Sequence, residues 1–177
     1  GMGLGFFDAG YRNDQVVYGD LMFALGLPIA IRGGPQSLAR VARLIMPVAG
    51  RLPMKMLYPT GKDQEKHTPK YQKWFEWAQV IAGDCIYITR YGPDNMSGKV
   101  VVTNTTTAAD VELFRKRGVR YLVTTTPRLA GGRSFGTNAM EAALIAASGK
   151  GRTLTSDELD AMIDELGMAP SIEQLNE

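Results

Sequence analysis

Four short runs of apolar, largely β-branched residues, separated by segments of helical periodicity, constrain the fold of this chain most strongly. The runs are residues 15–19, 79–83, 99–103 and 121–124. Parallel strands need a crossover connection, usually a helix, so short buried strands that alternate with helices are typical of a parallel sheet covered on both faces. The pattern predicts an α/β fold: a three-layer, Rossmann-like domain with a mostly parallel sheet.

The first twenty residues match the later part of a dinucleotide-binding βαβ motif. The pattern predicts a Gly-containing helix over residues 3–10, then the strand 15–19, and Asp20 stands at the end of that strand. In such motifs an acid at this place binds ribose hydroxyls. The strand that should precede the glycines has no counterpart, so we expect a sheet that lacks its first strand. The alternative is an ordinary helix and strand, with Asp20 capping the next segment.

Small polar residues follow each predicted strand, at Gly19-Asp20, Gly83-Asp84, Asn104-Thr105-Thr106 and Thr125-Thr126-Pro127. Ligands of open α/β sheets bind outside the carboxyl ends of the strands, where small residues allow close approach to backbone amides. The expected cofactor-binding residues are Asp20, Gly83, Asp84, Asn104, Thr105 and Thr106. For each strand end taken alone, the alternative is a turn or cap role, which the same residue types often have.

A glycine-rich loop, Gly131 to Gly136, follows the last of these strands and precedes a predicted helix over residues 138–147. It contains the cation Arg133. Together with Thr125 and Thr126, this loop is expected to face a substrate. The whole arrangement suits a nucleotide or a polyhydroxylated acid.

Other catalytic patterns are weak, and the catalytic residues are not identified. His67 is the only histidine and lies in a charged segment, so a surface position is expected. The single cysteine, Cys85, has no basic neighbour in sequence and is expected to be a small buried apolar residue. No cluster of histidine and cysteine predicts a metal site, and no P-loop motif occurs.

Composition narrows the class of protein. The chain has 177 residues, of which 45% are hydrophobic and 21% charged, with one cysteine and a net charge of +2. These values are typical of a globular protein in a reducing compartment, and we expect a cytoplasmic location. No apolar run approaches the roughly 20 residues that span a bilayer, and no nucleic-acid-binding module is present, so neither a membrane nor a nucleic acid is an expected partner. Residues 28–73 contain nine basic and two acidic residues, which indicates an anion-facing surface or a solvated face.

Several blocks of the chain together resemble one family. They are residues 18–28, 57–61, 80–84, 103–107 and 124–138. Through them, the stretch from Val17 to Lys150 resembles bacterial proteins labelled quinate 5-dehydrogenase, of the shikimate/quinate dehydrogenase group. The resemblance implies NAD or NADP as cofactor and a CH–OH group as the reacting part of the substrate.

A second likeness lies in the stretch from Gly136 to Ala143. It has the spacing of the loop and helix that end the nucleotide domain of shikimate dehydrogenases. Glu141 stands where those enzymes have a substrate-facing glutamine. The resemblance therefore implies that Glu141 contacts the substrate.

We expect residues 1–150 to form a Rossmann-like nucleotide-binding domain that is incomplete at its N-terminus, and residues 151–177 to form a helical extension. The chain is expected to be the C-terminal part of a longer NAD(P)-dependent oxidoreductase with a small-molecule ligand. One alternative is a non-catalytic α/β domain that binds a nucleotide or a sugar acid. Another is a scaffold that forms a homo-oligomer through residues 47–63 or an exposed sheet edge.

Overall fold

The structure is a computed structural model that describes residues 2–51, 53, 66–127, 134 and 136–177. The chain divides into two compact units, Gly1–Gln72 and Lys73–Glu177. The expected boundary at residue 150, between a nucleotide-binding domain and a C-terminal extension, stays a prediction. Among the described residues no helix is both long and apolar enough to cross a bilayer.

The regular elements that the structure describes in the first unit are helices, joined by turns and irregular segments. Its helices are α1 (Met2–Asp8), α2 (Asp20–Phe23) and α3 (Gly34–Ala49). The helix expected over residues 3–10 is therefore confirmed with slightly different ends. Gly33 and Gly34 have φ values of 91° and 77°. Because other residues rarely adopt such angles, these glycines allow the chain to turn sharply into α3.

The strand predicted over residues 15–19 is wrong. Gln15 belongs to a turn, in which its amide donates to Arg12 O at 2.9 Å and its side-chain oxygen accepts from Arg12 N at 2.8 Å. Within the described part of the chain, Tyr18 is the one residue of this run that pairs, through an antiparallel bridge with Ile31. Asp20 is thus not at the end of a sheet strand. It is an exposed residue that begins α2.

The second unit contains an α/β arrangement, introduced by α4 (Gln72–Trp77), a helix that begins at the division between the units. The further helices and strands follow in chain order: β1 (Val80–Ala82), α5 (Cys85–Tyr91), β2 (Val100–Thr103), α6 (Ala108–Lys116), β3 (Tyr121–Thr124), α7 (Thr137–Ser148), α8 (Ser156–Glu165) and β4 (Ser171–Gln174). The predicted strands at 79–83, 99–103 and 121–124 are confirmed.

The sheet is open, has four strands in the order β1-β2-β3-β4, and is mostly parallel. β1, β2 and β3 are parallel, and β4 is antiparallel to β3. The α/β class with a mostly parallel sheet is therefore confirmed. The segment 151–177 is not purely helical, since β4 lies in it. The sequence of β4 is Ser-Ile-Glu-Gln, and its one large apolar residue, Ile172, is exposed. The segment therefore lacks the apolar run that predicts a buried strand.

The core lies on the sheet face that α5 and α6 cover. Val101 of β2 pairs in register with Leu122 of β3, and both pack with Phe114 of α6 and Ile88 of α5. Alternate residues of a strand share a face, so the last residues of β2 and β3 also point towards this core.

Both covering helices begin directly after strands, at side chains that cap them. Asp84 accepts a hydrogen bond from Ile86 N at the start of α5. Thr107 and Asp110 form a capping box at the start of α6. These caps fix where the strand exits turn back into helices.

Candidate functional site

The carboxyl ends of β2 and β3 carry four polar side chains, two on the core face of the sheet and two on the opposite face. Thr103 and Thr124 are the last residues of the two strands and are register partners. Asn104 and Thr125 come next in sequence. Thr125 N donates to Thr103 O at 2.9 Å, so the pairing continues for one residue beyond the strands. We call these four residues the strand-end cluster.

Each residue of the strand-end cluster holds a buried oxygen without a hydrogen-bond partner in the described part of the chain. The atoms are Thr103 Oγ1, Asn104 Oδ1, Thr124 Oγ1 and Thr125 Oγ1. Thr103 is 0% exposed and Thr124 is 1% exposed. A buried polar group left unpaired costs about 1–3 kcal/mol, so most such groups in proteins have a partner, often water or a ligand. Four such atoms at two adjacent strand ends make this edge the candidate site for a polar ligand; all four are covered by protein, so a ligand would reach them only after a local rearrangement.

Other hydroxyls at the same edge are paired, which makes the strand-end cluster distinct. Thr126 Oγ1 donates to Asn104 O at 2.7 Å and ties the two strand exits together. Thr106 N donates to Ser134 Oγ at 2.8 Å, and the Thr106 and Ser134 hydroxyls are 3.1 Å apart. These bonds form a framework around the unpaired oxygens.

The exit of β1 provides space and a helix cap. Gly83 N donates to Val102 O at 3.0 Å, and a Cβ atom placed on Gly83 would meet nothing within 4 Å. No close contact among the described residues therefore requires a glycine here, and the cofactor-binding role expected of Gly83 stays a prediction. The Asp84 carboxylate accepts from Ile86 N at 2.9 Å, so the role that the structure shows for it is that of a cap.

Cys85, beside Asp84, is a buried residue of the core, as expected. Burial raises the pKa of the Cys85 thiol far above its ordinary value, and the charges of Asp110 and Asp84 raise this pKa further. The thiol is therefore neutral at physiological pH. A neutral buried thiol is not a nucleophile or a metal ligand.

The remaining predicted site residues lie in different places. Asp20 belongs to the first unit, where it is exposed. Glu141 is exposed on α7. Arg133 lies outside the described residues, as do most of residues 131–136 and of residues 47–63. The roles expected for Asp20, Glu141 and Arg133 stay predictions.

The model of one protein family matches residues 10–175. The chain belongs to this family, described as Domain of unknown function (DUF8754). No curated protein matches the chain, and no solved structure matches it. The matched range contains the whole strand-end cluster, but the family description assigns no activity to it.

Two residues of this edge were not among the predicted site residues: Thr103 and Thr124. A sequence signal exists for both. Each stands two residues after a buried apolar residue of its strand, Val101 or Leu122, so a polar residue occupies an inward-facing position. Ser134 lies in the loop that was expected to face a substrate, but its pairing with Thr106, 28 residues away in sequence, has no local signal.

A separate hollow of about 340 Å³ lies in the first unit. Its lining residues are Phe7, Asn13, Gly33, Pro35 and Gln36. None of these five holds a buried side-chain atom without a partner. The strand-end cluster is therefore the better candidate for a functional site.

Proposed function

We propose that this protein binds NAD or NADP at the carboxyl edge of β1, β2 and β3 and acts as an oxidoreductase of the quinate/shikimate type. The observation that supports the proposal is the set of unpaired, buried oxygens in the strand-end cluster. The three parallel strands in sequential order are consistent with part of a Rossmann-like, three-layer domain. The resemblance to the quinate 5-dehydrogenase family gives the reaction type, and a cytoplasmic location is part of the same proposal.

The unpaired atoms favour a ligand group that donates hydrogen bonds. An amide oxygen such as Asn104 Oδ1 only accepts, and threonine hydroxyls accept as well as donate. The nicotinamide riboside part of NAD offers such donors, a carboxamide NH₂ and two ribose hydroxyls. The strand-end cluster therefore fits the nicotinamide end of the cofactor.

The same edge is less suited to the cofactor's diphosphate. Both helices that start there carry a carboxylate in the first turn or at the cap: Asp84 is the N-cap of α5, and Asp110, the third residue of α6, completes the capping box with Thr107. Thr107 N donates to Asp110 Oδ2 at 2.8 Å, so this amide is already used. A negative charge at a helix start repels a phosphate that the helix dipole would otherwise attract. In this proposal the diphosphate contacts come from other parts of the protein.

The chain's own residues would bind and orient the cofactor. When bound, the nicotinamide supplies the hydride donor or acceptor. The strand-end cluster would hold the carboxamide in one orientation, and the packing of α5 and α6 against β2 and β3 would exclude water from that side. Arg133 and Glu141 would contact the substrate. The ribose contact expected of Asp20 is a separate proposal, because Asp20 belongs to the first unit.

Isothermal titration calorimetry tests the cofactor site. NAD and NADP are titrated into the unsubstituted protein, Thr125→Val and a control, Thr89→Val. Thr89 lies on α5, where its hydroxyl already donates to Ile86 O at 3.2 Å. We expect one cofactor to bind, Thr125→Val to weaken it up to about tenfold through one lost hydrogen bond, and Thr89→Val to leave affinity unchanged. Absence of binding, or equal affinity in both variants, contradicts the proposal.

Asp20→Ala tests the proposed ribose contact separately. Loss of a hydrogen bond to a charged group is expected to weaken cofactor binding by roughly 1–3 kcal/mol. Unchanged affinity in calorimetry would remove Asp20 from the site and leave the strand-end cluster unaffected.

A second candidate function is binding without turnover. The ionisable groups at this edge favour it, because those that could act on a substrate are already engaged. Asp84 and Asp110 hold the starts of helices, and Cys85 is buried and neutral. Absorbance at 340 nm distinguishes the two functions, with quinate or shikimate as the substrate. Cofactor binding with no change in absorbance would favour a binding domain, and a change that depends on the substrate would favour the dehydrogenase.

A further inference from the structure

Ser134 connects the segment after β3 to the exit of β2. It is 0% exposed. Its hydroxyl accepts from Thr106 N at 2.8 Å and lies 3.1 Å from Thr106 Oγ1. Its own amide donates to Thr106 O at 3.2 Å. One residue thus engages the backbone amide, the carbonyl and the hydroxyl of Thr106.

The contact continues on the other side of Thr106. A Cβ atom built on Gly136 would lie only 3.2 Å from Thr105 Oγ1, so the backbone of Gly136 stands directly against Thr105. Residues 134 and 136 therefore line the β2 exit along Thr105 and Thr106. Asn104, whose side-chain oxygen is unpaired, is the next residue towards the strand.

We propose that Ser134 is a positioning residue for the strand-end cluster. The hydrogen bonds of Ser134 fix the backbone of Thr106, which restrains the two preceding residues, Thr105 and Asn104. The unpaired oxygens therefore keep one arrangement before a ligand binds. Such restraint lowers the entropy lost when a ligand binds. The proposal deepens the cofactor site and rests on the proposed function only for the identity of the ligand.

Limited trypsin digestion tests the anchor without any ligand. Trypsin cuts after arginine, and the bond between Arg133 and Ser134 contains the amide that donates to Thr106 O. Cleavage there requires this contact to open, and its rate follows the population of the open form. Cleavage after Arg12, an exposed residue of the first unit, serves as the internal reference.

We expect Ser134→Ala and Thr106→Val to speed cleavage after Arg133, relative to Arg12, by about tenfold through lost hydrogen bonds. Thr106→Ser keeps the hydroxyl and should match the unsubstituted protein. An unchanged rate in both Ser134→Ala and Thr106→Val overturns the anchor.

Two further readouts distinguish positioning from simple support of the fold. In a ¹⁵N NMR spectrum, Ser134→Ala should shift the amide signals of Asn104 and Thr105 while the signals of α8 stay in place. In calorimetry, the same variant should weaken binding of NAD or NADP about tenfold. Unchanged signals at Asn104 and Thr105, or faster cleavage with unchanged cofactor affinity, overturns the positioning role. If the unsubstituted protein binds neither cofactor, the proposed function fails, and the cleavage rates and NMR signals still decide the role of Ser134.

Discussion

Replacing Thr103 and Thr124 together by valine should stabilise the ligand-free protein. Valine has nearly the shape of threonine and is equally β-branched, so the change removes a hydroxyl and leaves strand geometry and packing close to the original. Both hydroxyl oxygens are buried and have no partner among the described residues. Removing a buried polar group that makes no hydrogen bond removes its desolvation penalty.

The size of the effect follows from the number and spacing of the hydroxyls. One unpaired buried hydroxyl costs about 1–3 kcal/mol. Thr103 and Thr124 are register partners on adjacent strands, so their effects will not simply add. We expect the free energy of unfolding to rise by about 1–3 kcal/mol in the double variant. For a chain of this length each kcal/mol raises Tm by roughly 2–4 °C, which gives an increase of about 2–12 °C.

Thermal unfolding followed by circular dichroism measures the effect, with Thr126→Val as the matched control. Thr126 lies at the same edge and is buried, but its hydroxyl donates to Asn104 O at 2.7 Å. Its removal should lower the free energy of unfolding by about 1 kcal/mol. The two changes have the same chemistry and opposite expected signs.

A double variant destabilised as much as Thr126→Val would refute the reasoning, because the two hydroxyls would then be paired in solution. A stabilised double variant that still binds cofactor with full affinity would place the ligand elsewhere. Stabilisation together with weakened binding is the expected result, since a binding site commonly holds polar groups that reduce stability.

Three further predictions concern groups around the fold. The buried Cys85 thiol, whose pKa is raised chiefly by burial, should not react with a thiol reagent at pH 8 in the native protein and should react fully after unfolding; rapid native reaction would contradict its burial. Asp84→Ala should lower the free energy of unfolding by about 1 kcal/mol in urea titrations through loss of the α5 cap, and an unchanged value would show that the cap is dispensable. A hydrogen bond from Arg152, with smaller effects from Lys150 and the Thr155 amide, holds the pKa of Glu158 below its ordinary value of about 4.3. A pKa that is lower in the folded than in the unfolded state gives stability that is present above the unfolded-state pKa and is lost as the pH falls below that pKa. Glu158→Gln should therefore reduce the loss of Tm between pH 5 and pH 3. Equal losses of Tm in the variant and the unsubstituted protein would contradict this.

The second unit was largely predictable from sequence because its local signals agree with its packing. Its parallel strands are short β-branched or apolar runs, at 80–82, 100–103 and 121–124. Capping boxes at Thr107 and Thr155, which are formed by residues three apart in sequence, begin α6 and α8. Here a short stretch of sequence contains most of the information that decides the element.

The first unit shows where such signals fail. The run at residues 15–19 has the composition of a strand, but its first residue, Gln15, belongs to a turn in which it is hydrogen-bonded to Arg12. Among the residues that the structure describes, Ile31 is the one pairing partner of this run. A strand needs a neighbouring strand as well as a suitable composition, and a single sequence does not show that neighbour.

The candidate site was predictable at the level of the sheet edge. The polar residues after β2 and β3 were expected there because carboxyl ends of parallel strands share an edge. Which oxygens are paired could not be read from sequence. Thr126 and Thr125 are neighbours of the same type, yet one donates to Asn104 O and the other is unpaired, a difference that depends on tertiary geometry.

The most direct test of the central claim is a ¹⁵N NMR titration of the unsubstituted protein with NAD and with NADP. The account predicts that the largest amide shifts for one of these cofactors occur at residues 103–106 and 124–126, around the strand-end cluster. Shifts confined to other residues, or no shifts with either cofactor, would contradict it.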